Sequence, residues 1–190
     1  MILYINACAR KESRTKKLAD HLLTKLDGEV TEIDIAERSF PLCDEAFIDH
    51  RVQLVEDGKF DDPLFDPAKQ FAGADQIVIA APYWDLSFPA CLKEYFQQIC
   101  VTEITFRYTE AGYPQGLCKA KDLYYVTTAG GEYFPEQYGF GYVKELATAF
   151  YQIPHIELFY AKGLDIIGHD PDQIMHDAFE QVDRRFANKE

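Results

Sequence analysis

Hydroxyl and guanidinium groups cluster in one polar turn near the start of the sequence. Ser13 and Thr15 supply the hydroxyls, and Arg10 or Arg14 supplies the cation, directly before a run of leucines at helical spacing. A helix N-terminus has unpaired N–H groups and a partial positive charge, so these side chains would complete a phosphate site. Simple helix capping beside solvated arginines is the competing explanation.

A second stretch that could bind a ligand is an aromatic loop. It follows a short apolar run, residues 77–81, whose length and β-branched residues are typical of a strand buried on both faces. A flat aromatic ligand that rests on the loop would explain why two large rings occupy so short a turn. The loop consists of Pro82, Tyr83, Trp84, Asp85 and Leu86.

Paired glycines form the third candidate loop. They follow another apolar run, residues 122–128, in the order Thr128, Ala129, Gly130 and Gly131. Glycine lets backbone N–H groups approach a ligand closely. An ordinary turn with left-handed glycine is the alternative.

The pattern of apolar residues predicts the elements that would position these loops. Strands are expected at residues 2–7, 30–35, 77–81, 122–128 and 156–161, with helical patterns between them and a last helix that starts at Pro171. This alternation predicts an α/β fold with a doubly wound parallel sheet in the order 2-1-3-4-5, helices on both faces and a small hairpin excursion. In that order, the first two loops lie side by side at the switch point, and the glycine loop lies next to them.

Composition limits the function classes. The chain has 190 residues, which fits one domain over residues 1–190, and a formal net charge of -13. That charge argues against a nucleic-acid surface and against docking on an anionic membrane. The five cysteines include no C-x-x-C pair, and the five histidines have no ligand-like spacing, so no metal site is expected. Free thiols and the lack of a leader or a membrane span predict a cytoplasmic protein.

Several motifs resemble those of one enzyme family over nearly the whole chain. Residues 8–15, C-A-R-K-E-S-R-T, are similar to S-x-R-x-x-x-S-x-[ST], with one residue fewer between arginine and serine. Residues 82–86, P-Y-W-D-L, and 92–96, L-K-E-Y-F, resemble P-M-Y-N-F and L-K-x-Y-F. The hairpin that starts T-F-R-Y-T-E resembles T-F-R-Y-T-E-N-G-P-E-G-L, and T-T-A-G-G resembles T-S-R-G-G. These motifs resemble the flavodoxin-like NAD(P)H-dependent oxidoreductases, which include the FMN-dependent azoreductases and quinone reductases.

The resemblance implies a homodimeric FMN-dependent oxidoreductase. It would reduce a small aromatic acceptor, such as a quinone, azo or nitro compound, by two-electron ping-pong hydride transfer from NADH or NADPH. The flavin would carry the chemistry, so no catalytic side chain is expected. The residues expected to bind the cofactor are Cys8, Arg10, Ser13, Arg14, Thr15, Pro82, Tyr83, Trp84, Asp85, Leu86, Thr128, Ala129, Gly130, Gly131 and Tyr133.

Three residues depart from the family pattern. Cys8 replaces a serine, Asp85 replaces an asparagine, and Ala129 replaces an arginine. A carboxylate beside the flavin would disfavour an anionic reduced flavin. Two alternatives stay open. One is a flavodoxin-like electron carrier with no substrate pocket of its own, and the other is a flavin-free binding or sensing protein of the same fold, if the three departures have abolished the site.

Overall fold

A parallel sheet of five strands forms the centre of the computed structural model, which describes residues 1–187. In chain order the strands are β1 Ile2–Asn6, β2 Val30–Asp34, β3 Gln76–Ala80, β4 Phe106–Tyr108, β5 Pro114–Gly116, β6 Asp122–Thr128 and β7 His155–Ala161. The sheet order is β2-β1-β3-β6-β7, and β4 and β5 form a separate antiparallel hairpin. The sequence-based prediction of fold class and strand order is therefore confirmed.

Helices cover both faces of the sheet, as its apolar strands require. Within residues 1–187 the α-helices are α1 Arg14–Leu23, α2 Glu45–Glu56, α3 Asp66–Gly73, α4 Ala90–Ile99, α5 Phe140–Leu146 and α6 Pro171–Phe186. Buried side chains of α1 and α6 pack on one face, and those of α2, α3, α4 and α5 pack on the other. No helix within residues 1–187 combines the length and the apolar character that a membrane span needs.

The strand register brings the three candidate loops to one edge of the sheet. Asn6 pairs with Ala80, and Ala80 pairs with Val126, so β1 and β3 end level with each other and β6 extends two residues further, to Thr128. Backbone bonds continue the ladder past the strand ends, from Ala7 N–H to Ala80 O at 2.8 Å and from Tyr83 N–H to Thr128 O at 3.0 Å. The switch point between β1 and β3 is where ligands bind in open α/β sheets.

The segment before β7 differs from its prediction. The sequence predicts one helix over residues 139–153, whereas the structure has a short 3-10 helix at Glu136–Tyr138, then α5, then a π-helical turn at Ala147–Tyr151. Packing explains the π-helical turn, because the side chains of two consecutive aromatic residues contact different elements. Phe150 meets Phe106 of the hairpin at 5.0 Å between ring centroids, and Tyr151 meets Phe71 of α3 at 4.8 Å.

The sequence also predicts a turn at residues 112–116, Pro89 in the first turn of a helix, and a first helix that Gly28 can end. These three boundaries differ in the structure. The predicted turn at residues 112–116 supplies β5, since the tip of the hairpin lies between Tyr108 and Pro114. Pro89, expected in the first turn of α4, precedes that helix as its N-cap. The first helix ends at Leu23, five residues before Gly28, which was expected to end it.

Candidate active site

A cleft of about 560 Å³ opens at the ends of β1, β3 and β6. Its volume lies within the roughly 300–1,000 Å³ that small-molecule and cofactor sites occupy. Its lining comes from the three predicted loops and from the loop after β7. The lining residues are Ala9, Arg10, Glu12, Ser13, Arg14, Thr15, Pro82, Tyr83, Trp84, Asp85, Thr128, Ala129, Gly130, Leu164 and Asp165.

One end of the cleft is the N-terminus of α1. Ser13 is the N-cap, and its hydroxyl accepts a bond from the Lys16 N–H at 3.2 Å and can donate its proton either to the Cys8 sulfur or to an anion. The buried Thr15 hydroxyl lies 2.7 Å from that of Thr128, and either can donate. The amide N–H groups of Arg14 and Thr15 precede the first intrahelical bond and have no helical partner. This end therefore collects the donors that an anion needs.

The two arginines have different surroundings. Arg14 Nη1 donates to Asp165 Oδ1 at 2.9 Å and to the Leu164 carbonyl oxygen at 3.2 Å. Arg10 is exposed, and it has no ion-pair partner within the part of the chain that the structure describes. The sequence does not choose between Arg10 and Arg14 as the cation of the phosphate site. In the structure Arg14 is paired with Asp165, so the Arg10 guanidinium is the one available to bind an anion.

The other end of the cleft is a tight turn from Trp84 to Ser87. Backbone bonds join these two residues in both directions, at 3.0 and 2.7 Å. The residues between them, Asp85 and Leu86, have φ of 51° and 66°, a left-handed conformation that leucine rarely adopts. Strained backbone of this kind is concentrated at binding sites. The Trp84 side chain is 39% exposed, so a flat ligand could cover it.

Tyr83 joins the aromatic loop to the chain that follows the paired glycines. Its hydroxyl donates to the Pro135 carbonyl oxygen at 3.2 Å, and its ring meets Phe134 edge-on at 4.6 Å. Ser87 adds a bond from its hydroxyl to the Tyr138 carbonyl oxygen at 3.2 Å. The two loops therefore form one wall of the cleft.

The paired glycines are not left-handed. Neither Gly130 nor Gly131 has a positive φ, so the turn that the sequence left as an alternative is absent here. A Cβ at Gly130 would overlap the Asp165 carboxylate, whereas a Cβ at Gly131 would make only a van der Waals contact, 4.0 Å from the Tyr133 backbone nitrogen. Their amide N–H groups, like those of Asp85 and Leu86, donate to no group within residues 1–187. These four donors are available to a ligand.

The structure brings eleven of the fifteen predicted site residues together. Four lie outside the lining, namely Cys8, Leu86, Gly131 and Tyr133. Cys8 is buried in the core, with its sulfur 3.8 Å from the Ala80 carbonyl oxygen, and burial raises its pKa to about 11. Leu86, Gly131 and Tyr133 lie at the surface beside the cleft.

Four lining residues are not among those that the sequence indicates, and Leu164 and Asp165 are the most informative of them. They belong to the loop after β7, about 150 positions from the arginine that they bind. The strand order could have found them, because β7 is the neighbour of β6 and its loop must lie beside Gly130. Ala9 and Glu12 lie within the predicted first loop and were not selected.

Comparisons with known proteins give a consistent result. A family model described as flavodoxin-like fold matches residues 1–186. The FMN-dependent NADH:quinone oxidoreductase 2 of Clostridium acetobutylicum is 37% identical over 193 residues, which cover 95% of each chain. The FMN-dependent NADH:quinone oxidoreductase of Coprothermobacter proteolyticus is 33% identical and covers 96% of each chain.

Solved structures agree on the fold. An FMN-dependent NADH-azoreductase from Bacillus anthracis, in complex with FMN, superimposes with a TM-score of 0.81 at 21% identity. The match covers 98% of this chain and 97% of that one. A second azoreductase structure from Bacillus anthracis gives a TM-score of 0.82 and covers 97% of each chain.

Proposed function

Because the chain belongs to the family of flavodoxin-like fold, we propose that it is an FMN-dependent NADH oxidoreductase that reduces quinones or azo compounds. Relatives that match 95% or more of the chain at 33–37% identity carry the name FMN-dependent NADH:quinone oxidoreductase. The enzyme class and the cofactors in the names of these relatives agree with those expected from the sequence. The observation that carries the proposal is the cleft itself, which has anion donors at one end and an exposed tryptophan at the other.

The residues of the cleft fit FMN. The phosphate would be held by the N-terminus of α1, the hydroxyls of Ser13 and Thr15, and Arg10. The flavin ring would lie against the Trp84–Ser87 turn and the Gly130–Gly131 backbone. The free amide N–H groups there would bind its polar edge and stabilise negative charge.

FMN supplies the two-electron hydride chemistry when it is bound. The chain's own residues bind and orient the reactants, and no acid or base side chain is required. NADH and the acceptor would enter through the same opening by turns, so initial-rate plots should be parallel. Lines that converge would contradict a shared binding face.

NADH is the better candidate for the reductant. Three carboxylates line the cleft, from Glu12, Asp85 and Asp165, and one of its two arginines is already paired. These three carboxylates would repel the additional 2′-phosphate of NADPH. A higher kcat/KM with NADH than with NADPH is therefore expected, and the opposite preference would contradict this assignment.

We also propose that the chain forms one flavodoxin-like domain, that it is cytoplasmic and that it works as a homodimer. All five cysteines are free thiols, as in proteins from reducing compartments. Apolar side chains on α2 support the homodimer, because Ile48 and Val52 are 41% and 47% exposed. If a second copy covers them, Val52→Asp should shift the sedimentation mass from dimer to monomer.

The visible spectrum of the purified protein tests the proposed function. FMN should bind, and riboflavin, which lacks the phosphate, should bind about 10- to 100-fold more weakly because charge-assisted bonds are lost. Under anaerobic conditions NADH should bleach the bound flavin, and menadione should restore its colour. Bound flavin that neither NADH nor NADPH bleaches would favour an electron carrier. A protein that binds no FMN would favour the flavin-free alternative.

A further inference from the structure

The loop after β7 is attached along its length to the glycine loop. Asp165 N–H donates to the Gly130 carbonyl oxygen at 2.9 Å, and Gly163 N–H donates to the Gly131 carbonyl oxygen at 3.0 Å. Leu164 N–H reaches the Ala129 carbonyl oxygen at 3.3 Å. These bonds join the two loops beyond the ends of β6 and β7, so the loops are held together as one unit.

A carboxylate from each loop lies over a glycine of the other. A Cβ on Gly130 would overlap an Asp165 oxygen and lie 3.1 Å from Asp165 Cγ. A Cβ on Gly163 would overlap a Glu132 oxygen and lie 3.3 Å from Glu132 Cδ. Gly130 has no positive φ, so alanine is compatible with its backbone, and the Asp165 carboxylate is the obstacle.

The second oxygen of Asp165 holds Arg14. The pair spans 2.9 Å, and the Leu164 carbonyl oxygen binds the same Arg14 nitrogen. Arg14 is therefore held toward the β7 loop, although it is the first residue of α1 and lines the anion end of the cleft. Arg10, also in the lining, has no such tie within the described residues.

We propose that Asp165 is a positioning residue that determines which arginine binds the FMN phosphate. The Asp165 carboxylate lies against Gly130 and holds Arg14 at the wall of the cleft by an ion pair. Arg10 is then the arginine that binds the phosphate. This inference rests on the proposed function. Because the pair is partly exposed, with side chains 41% and 68% accessible, its effect on ligand affinity should be limited to about fivefold.

The test is a set of FMN affinities measured by flavin fluorescence. In the wild-type background, Arg10→Ala should weaken FMN binding about tenfold or more, and Arg14→Ala less than threefold. In an Asp165→Asn background, Arg14 is released from its ion pair. Arg14→Ala should then weaken FMN binding about fivefold more than it does in the wild-type background, and Arg10→Ala should weaken it less. Gly130→Ala, which displaces the carboxylate, should have the same effect as Asp165→Asn.

Riboflavin separates positioning from a general structural role. A damaged fold would weaken FMN and riboflavin alike, whereas a change in the phosphate ligand affects FMN alone. Asp183→Asn is the matched control, because Asp183 of α6 also contacts α1, through His21 at 2.9 Å, and pairs with Lys25 just after α1 at 2.7 Å, away from the cleft. The proposal would be overturned if Arg10→Ala and Arg14→Ala each reduced FMN affinity by the same factor with and without Asp165.

Stability measurements keep this result distinct from failure of the proposed function. Gly130→Ala should lower the urea midpoint in the wild-type background and leave it unchanged in an Asp165→Gly background, since the obstacle is then gone. Equal losses in both backgrounds would show that Asp165 is not seated over Gly130, and would overturn the inference. Failure of the wild-type protein to bind FMN would instead overturn the proposed function, and with it the phosphate role.

Discussion

The two ends of the cleft are built differently. The anion end is joined to distant parts of the chain, by Thr15 with Thr128 and by Arg14 with Asp165. The ring end is a turn whose backbone bonds run between Trp84 and Ser87, with two strained residues between them. Tertiary contacts hold both ends, since Tyr83 and Ser87 bond to the chain after the paired glycines, and the difference is that the ring end also contains strained backbone. Four predictions test this difference, in decreasing order of effect.

The largest effect is expected at the anion end, from Ser13→Ala. This change removes the N-cap of α1 and a donor for the phosphate. FMN affinity should fall about 10- to 100-fold, because a bond to a charged group is lost. Unfolding free energy should fall by about 1 kcal/mol through loss of the cap. Fluorescence titration and urea unfolding measure the two effects separately.

Asp44→Ala is the matched control for that change. Asp44 caps α2 with the same geometry, accepting a bond from the Phe47 N–H three residues on, but it lies outside the cleft. It should lose similar stability and keep FMN affinity. If both variants lose affinity equally, the anion end has no special role.

Cys8 gives the second prediction, for the core beneath the anion end. Burial raises the pKa of its thiol from 9.0 to about 11, so the unfolded chain ionises first. Stability should therefore be intact below pH 9 and fall as the pH rises from 9 toward 11. Cys8→Ser lacks this titration, so its loss over that range should be smaller by about 2 kcal/mol. If the unfolding free energies of the wild type and of Cys8→Ser fall by the same amount across this pH range, the Cys8 thiol is accessible to water.

The strain at the ring end gives the third prediction. Leu86→Gly removes a side chain but also relieves a left-handed leucine, a conformation that costs roughly 1 kcal/mol. Leu42→Gly is the same change at an exposed residue without positive φ. The Leu86 variant should therefore be the more stable of the two by about 1 kcal/mol in urea unfolding. The reverse order would mean that the turn stores no strain.

The smallest effect is expected from Asp85→Asn, which restores the asparagine of the resembled motif. Asp85 is exposed, so solvent screens its charge, and FMN affinity should rise only about two- to fivefold. Asp61→Asn removes an exposed charge outside the cleft and should leave affinity unchanged. Equal changes in both variants would assign the effect to net charge rather than to the ring end.

The sequence by itself determined the fold and the position of the cleft. Apolar runs bounded by turn residues specify β1, β3 and β6 locally, and their order in a doubly wound sheet brings the following loops to one edge. The hydroxyls before α1 were also predictable, because capping depends on residues within one turn of the helix.

Tertiary structure alone decided the direction and the partners of the side chains. Arg14 is held by a carboxylate 151 positions away, Cys8 faces the core, and Tyr83 bonds to the loop after the glycines. The predicted helix over residues 139–153 likewise breaks into a π-helical turn where the hairpin packs on it. The physical reason is that periodicity and turn chemistry act over a few residues, whereas partner choice depends on segments that meet only when the chain has folded.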